Sequence, residues 1–309
     1  MKIGVIGLGN IAQKAYLPSY IALQDQGEFY FATRRESVQK ELKQRYQLDH
    51  MYTNLEELID QGIEACFIHT ATGSHYQLIK KCLTEGIHVF VDKPVSENLA
   101  EVEELFALAQ AKEKVLMVGF NRRFAPMVEQ LKQIPDKRMI YLSKHRQSAS
   151  QDTDFVIYDL FLHLVDTAVY LLDEPIIAHS SQIKESAEGL ETATLILETA
   201  HTTAILTMDL KSGANTEDYR ITAKSGTYDV RNLTTLTETA AGAISQHEFG
   251  DWETTLSKRG FYPMVCAFLT AITDPSAVDL RQEQVVKSHQ LCQEMIASNR
   301  KVKSGSLEK

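Results

Sequence analysis

The chain begins Lys2-Ile3-Gly4-Val5-Ile6-Gly7-Leu8-Gly9-Asn10-Ile11-Ala12, a short apolar strand running straight into Gly-x-Gly-x-x-Ala. Such a strand-to-helix turn must be tight at its first glycine, and Gly7 meets that need. Gly9 lets backbone approach a pyrophosphate, and Ala12 is small enough for the next helix to pack close to the strand. The helix start, at Asn10 and Ile11, offers unsatisfied N–H groups and the positive end of a dipole to phosphates. These residues predict a nucleotide cradle rather than an ordinary glycine turn.

A chain of 309 residues suits about two domains of roughly 150 residues. Its hydrophobic content of 44% and charged content of 24% are enough for a sizeable buried core. The 32 basic and 41 acidic residues leave a net charge of -9. With no long basic run, that balance argues against nucleic acid or an anionic membrane as partner. Cys66, Cys82, Cys266 and Cys292 are dispersed and form no CxxC. They read as reduced, mostly buried thiols of a cytoplasmic protein, so no metal site is expected. No apolar run approaches the ~20 residues a membrane span needs. Because the chain enters a strand at once, no secretory leader is expected. The polar tail 303–309 is expected to fray.

Residues 1 to about 120 alternate strand and helix. Strands are expected at Ile3–Ile6, Phe29–Ala32, Ala65–His69, His88–Val91 and Val115–Gly119. Helices are expected at Ile11–Gln24, Ser37–Arg45, Leu55–Asp60, Ser74–Glu85 and Leu99–Ala111. This order implies a parallel sheet covered on both faces, with ligands beyond the carboxyl ends of its strands. After Asn121 the pattern changes. Arg138–Arg146, Ile176–Ile183, Ala193–Glu198, Thr203–Leu210, Tyr219–Ala223 and Tyr228–Asn232 follow one another as Thr-rich and β-branched strands, which predicts an antiparallel sheet. Helices are expected at Asp159–Leu172, Phe261–Thr273 and Gln282–Asn299. The last should cover this sheet or dock onto the first domain. The division is therefore 1–120, dinucleotide-binding, and 121–309, for substrate and dimerisation.

Chemistry-bearing residues fall just after the strands. Thr33-Arg34-Arg35 follows the second, where an NAD enzyme usually carries an acidic residue for the ribose 2′-hydroxyl. Two guanidinium forks suit a 2′-phosphate instead, although Glu36 stands near enough to serve a ribose. Thr70 and His75, in His69-Thr70-Ala71-Thr72-Gly73-Ser74-His75, are candidates for cofactor contact, while Ser74 equally suits a helix N-cap. Asp92-Lys93-Pro94 places a cation at a strand end, either polarising a substrate oxygen or sitting in a surface turn. Phe120-Asn121-Arg122-Arg123-Phe124 puts two arginines at the domain crossover, to contact cofactor or substrate or to pair with carboxylates. Asp159 and His163 are four apart and share a helix face. The carboxylate can fix the imidazole tautomer for acid/base work, though a lone helical histidine is more often structural. Asp166 shares that face. His289 reads as a core residue.

Taken in order, the glycine turn, Asp92-Lys93-Pro94, Asn121-Arg122-Arg123-Phe124 and Asp159-x-x-x-His163 resemble the Gfo/Idh/MocA oxidoreductases over nearly the whole chain. Lys14-Ala15-Tyr16-Leu17-Pro18 and Tyr158 to Asp166 look most like the MviM-like branch. The resemblance implies an α/β architecture: an N-terminal Rossmann doubly wound parallel sheet plus a C-terminal α+β domain with a large, mostly antiparallel open sheet. That sheet often makes the dimer interface in relatives. It also implies hydride transfer between a nicotinamide and a sugar, cyclitol or related polyol. Lys93 matches the Glu-Lys-Pro lysine of the family, with Asp92 in place of Glu, and Asp159 and His163 match its catalytic pair. Phe155-Val156-Ile157-Tyr158 replaces the Gly-rich approach usual before the catalytic Asp, which bears on the substrate, and Ala71 replaces a usual Pro. The reading is an NADP-preferring or dual-specificity dehydrogenase. Gly7, Gly9, Asn10, Ile11, Ala12, Thr33, Arg34, Arg35, Thr70, His75, Lys93, Pro94 and Arg122 are expected at the cofactor, and Lys93, Asp159 and His163 at the chemistry. The alternatives are a non-catalytic NADP-binding sensor and an NAD-dependent glycoside-cleaving enzyme.

Overall fold

The computed structural model describes residues 1–306, with side chains through Lys301. The chain divides into two compact units. The first is Met1–Phe120 with Phe261–Gln282; the second is Asn121–Gly260 with the residues from Glu283 on.

The first unit is built on six parallel strands: β1 (Lys2–Ile6), β2 (Glu28–Ala32), β3 (Met51–Tyr52), β4 (Ala65–Ile68), β5 (His88–Val91) and β6 (Leu116–Val118), in the spatial order β3-β2-β1-β4-β5-β6. The order turns back at β1, which pairs with β2 on one side and β4 on the other. Strand β4 is buried at every residue, as expected where helices cover both faces. Helices Leu55–Asp60 and Leu99–Ala111 begin where the sequence predicts, because Asn54 and Asn98 cap them. The Asn54 side chain accepts from the Glu57 N–H at 2.9 Å, and that of Asn98 from the Ala100 N–H at 3.1 Å. The helix expected from Ile11 to Gln24 is interrupted near its start by a π turn, Ala12–Tyr16, before an α-helix, Leu17–Ala22. Two-residue β3 gave no periodic signal.

Helix Phe261–Thr273 has the expected bounds, but its residues pack with the first unit rather than the second. The reason is its apolar stripe. Phe268 is fully buried, its ring 5.0 Å from that of Phe67 on β4 and 5.6 Å from that of Phe90 on β5. The segment ends at Gln282, whose Oε1 accepts from the Val118 N–H at 2.8 Å and so satisfies edge strand β6.

The second unit holds eight strands: β7 (Lys137–Gln147), β8 (Ala178–Ser186), β9 (Gly189–Glu198), β10 (Thr203–Ser212), β11 (Thr216–Ala223), β12 (Gly226–Arg231), β13 (Thr235–Ala240) and β14 (Ala243–Glu248), ordered β14-β13-β12-β11-β7-β10-β9-β8. Every pairing is antiparallel except β7 with β10. The sheet is thus mostly antiparallel, as expected; helical segments separate β7 and β10 along the chain, so these two can lie parallel. Along β10, Ala204, Leu206, Met208 and Leu210 are buried while Thr203, Ile205, Thr207 and Asp209 are half-exposed, the alternation of a one-sided sheet. The β13–β14 hairpin was not foreseen, since every residue of β14 is exposed and no apolar alternation marks it. Helices Pro126–Lys132, Thr153–Val156 and Thr255–Lys258 are likewise additional.

The last helix runs Val285–Ser306, longer than expected, and packs on helix Leu162–Leu171 and β8 of its own unit. The rest of the tail, 307–309, lies outside the described residues. No helix among them is long and apolar enough to cross a membrane.

Replacing Phe268 by Ala should destabilise the protein by about 3–5 kcal/mol, because a ring wedged between two sheet residues leaves a cavity. Urea unfolding checks this; a loss below about 1 kcal/mol would contradict the packing described.

Candidate active site

A cleft of about 530 Å³ opens in the first unit at the carboxyl ends of β1, β2 and β4, lined by Gly7, Gly9, Thr33, Arg34, Arg35 and Thr70 among others. Gly7 has φ +94°, and a Cβ there would meet the backbone of His69 and Thr70 at 2.6 Å. Only glycine fits where β1 turns against the end of β4. Gly9 differs: nothing lies within 4 Å of the space its Cβ would take. The turn is thus sealed behind and open in front, which fits a pyrophosphate lying over Gly9. An α-type bond follows directly, the Gln13 N–H donating to the Gly9 carbonyl at 3.0 Å.

Arg34 and Arg35 are exposed at the end of β2. Arg35 Nη2 donates to the Leu8 carbonyl at 3.0 Å, tying this loop to the glycine turn. Glu36 is turned to Lys40, 2.9 Å away. The acidic side chain lining this cleft is Glu56, which is paired with Lys81. The end of β2 therefore presents positive charge.

Beside the cleft, Lys93 follows β5 in Asp92-Lys93-Pro94, and the Lys93–Pro94 peptide is cis. Asp92 Oδ1 accepts from the Tyr16 hydroxyl at 3.1 Å and from the Lys93 N–H at 3.0 Å. Burial raises its pKa, against the opposing pull of the Lys93 ammonium. Tyr16, fully buried in the π turn, was not singled out from sequence as a site residue, yet it anchors the turn that carries Lys93. His75 is buried, with Nδ1 2.8 Å from the Pro94 carbonyl and Nε2 3.0 Å from the Thr70 carbonyl. Burial lowers its pKa, against the two carbonyls that favour its ring N–H groups. The ring clamps the Thr70 and Pro94 backbones together, and both its nitrogens face protein.

His69 stacks on Tyr16 with ring centroids 4.1 Å apart and shares a 2.6 Å hydrogen bond with the Tyr20 hydroxyl, while its Nδ1 is buried without a partner. Burial pushes its pKa from 6.5 to about 3.

In the second unit, His163 lies on helix Leu162–Leu171, while Asp159 lies in the π turn Ile157–Phe161 that precedes it. His163 is buried and Asp159 half-buried. Arg122 Nη1 lies 3.0 Å from His163 Nδ1 and 3.1 Å from Nε2, and donates to Asn121 Oδ1 at 2.9 Å. Arg122 Nε and Nη2 grip the two oxygens of Glu217 at 2.9 and 3.0 Å. Glu217 also accepts from Lys144 at 2.5 Å and from the Tyr219 hydroxyl at 2.6 Å. The two cations hold its carboxyl well below the usual range despite the cost of burial, whereas burial and Arg122 bring Lys144 down to about 7. Arg123, fully buried, holds Asp166 by two bonds of 2.9 and 2.7 Å, and Ser288 donates to the same carboxylate at 3.1 Å. The two arginines thus pair with carboxylates of their own unit. Glu217 and Lys144 escaped the sequence reading because they look like ordinary strand charges. Their signal is positional: both fall on the inward face of an alternating strand, where a charge needs a partner. His289 sits in the core, its Nδ1 3.0 Å from the Val285 carbonyl. Among the described residues no His, Cys, Asp and Glu cluster could hold a metal.

A six-stranded parallel sheet that reverses at β1, with a glycine turn and a cleft at that point, defines a dinucleotide-binding protein of the Rossmann type. The Gfo/Idh/MocA oxidoreductase family, described by its NAD-binding Rossmann fold, matches residues 1–120, and the YceM-like C-terminal domain matches residues 126–241. YceM of Salmonella typhimurium is 32% identical over 290 residues, covering 93% of this chain and 94% of that protein. The crystal structure of the dehydrogenase MviM from Clostridium difficile superposes with a TM-score of 0.90 at 29% identity, covering 96% of this chain and 99% of that one. Myo-inositol 2-dehydrogenase from Thermotoga maritima is 28% identical over 188 residues, 57% of this chain and 56% of that enzyme. The chain belongs to the Gfo/Idh/MocA family and is an NAD-binding oxidoreductase.

Gly9→Ala should leave the melting temperature of the ligand-free protein unchanged, because its Cβ meets no protein atom. It should weaken dinucleotide binding about tenfold or more by occupying the pyrophosphate path; unchanged affinity in a fluorescence titration would remove the cradle from that turn. His69 gives a second expectation. An unfolded His69 takes up a proton below pH 6.5, whereas the folded one resists until about 3. Its stabilising contribution is complete above pH 6.5 and is lost as pH falls toward 3. His69→Phe should narrow the gap between urea midpoints measured at pH 7 and pH 4.5.

Proposed function

We propose that this protein is an NADP-preferring dehydrogenase or reductase, able also to use NAD, acting on a sugar, cyclitol or related polyhydroxylated small molecule in the cytoplasm. The observation that carries the cofactor preference is the end of β2, where Arg34 and Arg35 line the cleft and Glu36 is turned to Lys40. A guanidinium fork matches a 2′-phosphate, while a ribose hydroxyl calls for a carboxylate. Gly7, Gly9, Asn10, Ile11 and Ala12 would hold the pyrophosphate, Thr33, Arg34 and Arg35 the adenosine phosphate. Thr70 and Pro94 would flank the cofactor in the geometry that His75 imposes on them. Bound there, a nicotinamide cofactor supplies the hydride donor or acceptor.

In this reading Lys93 and His163 share the substrate hydroxyl proton. The ammonium steadies the developing alkoxide, the imidazole moves the proton, and Asp159 orients the imidazole. Residues 1–120 would serve the cofactor and 121–309 the substrate. The outer, Thr-rich face of the second sheet would pair with a second copy of the chain. The polyol class is supported by the relative from Thermotoga maritima, named for an inositol.

Arg34→Ala should raise the Kd for NADP about tenfold or more, the worth of one charge-assisted contact, and leave that for NAD within about twofold. Equal losses would remove the phosphate assignment. A thermal-shift panel of NADP, NAD, myo-inositol, simple sugars and sugar acids should show NADP stabilising more than NAD. Turnover at the nicotinamide absorbance band should follow with at least one polyol. Firm nucleotide binding without turnover on any of them would make the protein a sensor.

A further inference from the structure

Four elements of the second unit meet around the Arg122–Glu217 pair. Arg122 comes from the turn Asn121–Phe124, Lys144 from β7, Glu217 and Tyr219 from β11, and His163 from the helix behind them. Glu217 and Lys144 are cross-strand neighbours in register. Glu217 is 3% exposed, Arg122 6% and His163 8%. Each oxygen of Glu217 accepts two hydrogen bonds: Oε1 from Arg122 Nε and Tyr219, Oε2 from Arg122 Nη2 and Lys144. That arrangement leaves the guanidinium no freedom to swing.

The remaining arm of the guanidinium falls on His163. Arginine has donors only, so a hydrogen bond from it needs a ring nitrogen with a free lone pair, which the doubly protonated ring lacks. Nearly equal distances to both nitrogens, 3.0 and 3.1 Å, mean that Nη1 crosses the ring between them. What it supplies is therefore a positive charge pressed against the imidazole as much as one directed bond. A salt bridge needed for stability alone can often be replaced by apolar side chains of the same volume. This one carries two cations for one carboxylate and sets the third arm of the guanidinium against the histidine assigned to proton transfer.

We propose that Glu217 is a positioning residue for His163, acting through Arg122: its two oxygens fix the guanidinium, and the guanidinium holds the imidazole neutral, ready to accept the substrate hydroxyl proton. The inference rests on the reading that His163 moves that proton. The charged and titratable groups around the ring include Arg122 and, behind it, Glu217, Lys144 and Tyr219. Asp159 and Asp166 lie about one turn away on its own helical segment, the latter held by Arg123. Lys144, brought to about 7 by burial and Arg122, lets the positive excess of the cluster vary near neutrality.

The test follows the His163 ring directly, in full-length protein labelled with ¹⁵N-histidine, the signal being assigned by its loss in His163→Gln. Arg122→Gln should raise the titration midpoint of His163 by about one pH unit, a tenfold change in its protonation equilibrium. Glu217→Gln should raise it by a smaller amount, because the freed guanidinium leaves the ring. Glu217→Asp should bring it back toward the wild-type value. A His163 midpoint unchanged or lowered in Glu217→Gln overturns the proposal, as does an unchanged one in Arg122→Gln. If Glu217→Gln fails to fold, Arg122→Lys carries the same reading: it keeps the charge, loses the two-oxygen grip, and should also raise the midpoint. The measurement needs no substrate. A protein showing these shifts but no turnover on the polyol panel would keep the positioning role and lose the proposed activity.

Discussion

At Gly7 the backbone leaving β1 runs against the peptide joining His69 to Thr70, with no space for even one carbon more. That contact brings the ends of β1 and β4 together on one side of the cleft, while the end of β2 stands on the other. Everything assigned to the cofactor hangs on it: the open face of Gly9, the arginines after β2, and the Thr70 backbone that His75 ties to Pro94. A larger residue at position 7 would separate strands rather than merely crowd a ligand. The same need for closeness explains the small residue at Ala12, fully buried where the first helical turn leaves the sheet.

The second unit answers to a different constraint. Its sheet buries one face, and Lys144 and Glu217 stand on that face. Burying either alone would cost several kcal/mol. Buried together with Arg122 and Tyr219 they form one set in which the Glu217 carboxylate accepts four hydrogen bonds. Arg123, Asp166 and Ser288 make a second such set nearby. Two adjacent arginines in the chain thus serve two carboxylates, Arg122 reaching the sheet and Arg123 the helices. His163 borders the first of these sets, so its environment is set by residues up to 56 positions further along the chain than itself.

Much of the architecture could be read locally. Caps at Asn54 and Asn98, unbroken apolar strands in the first unit and alternation along β10 each leave a mark in a few consecutive residues. The elements that went unseen have physical reasons. Strand β3 is two residues long, and β14 has no buried face to impose a period. The π turns at Ala12–Tyr16 and Ile157–Phe161 interrupt what reads as continuous helix, because one extra residue per turn leaves the apolar pattern nearly intact. The partners of Lys93 and His163 were less legible still. Tyr16 looks like any aromatic of an amphipathic helix until its hydroxyl is seen on Asp92.

By itself the order of residues determined that a glycine turn follows the first strand, that positive charge follows the second, and that parallel αβ units give way to a one-sided sheet. These are properties of neighbours along the chain, governed by backbone conformation and short periods of burial. Tertiary structure alone decided that helix Phe261–Thr273 returns to the first unit, that β7 lies parallel to β10, and that Glu217 meets Arg122 beside His163. A buried charge takes its partner from whatever side chain the packing brings within about 3 Å, and no interval in the sequence encodes which one that is.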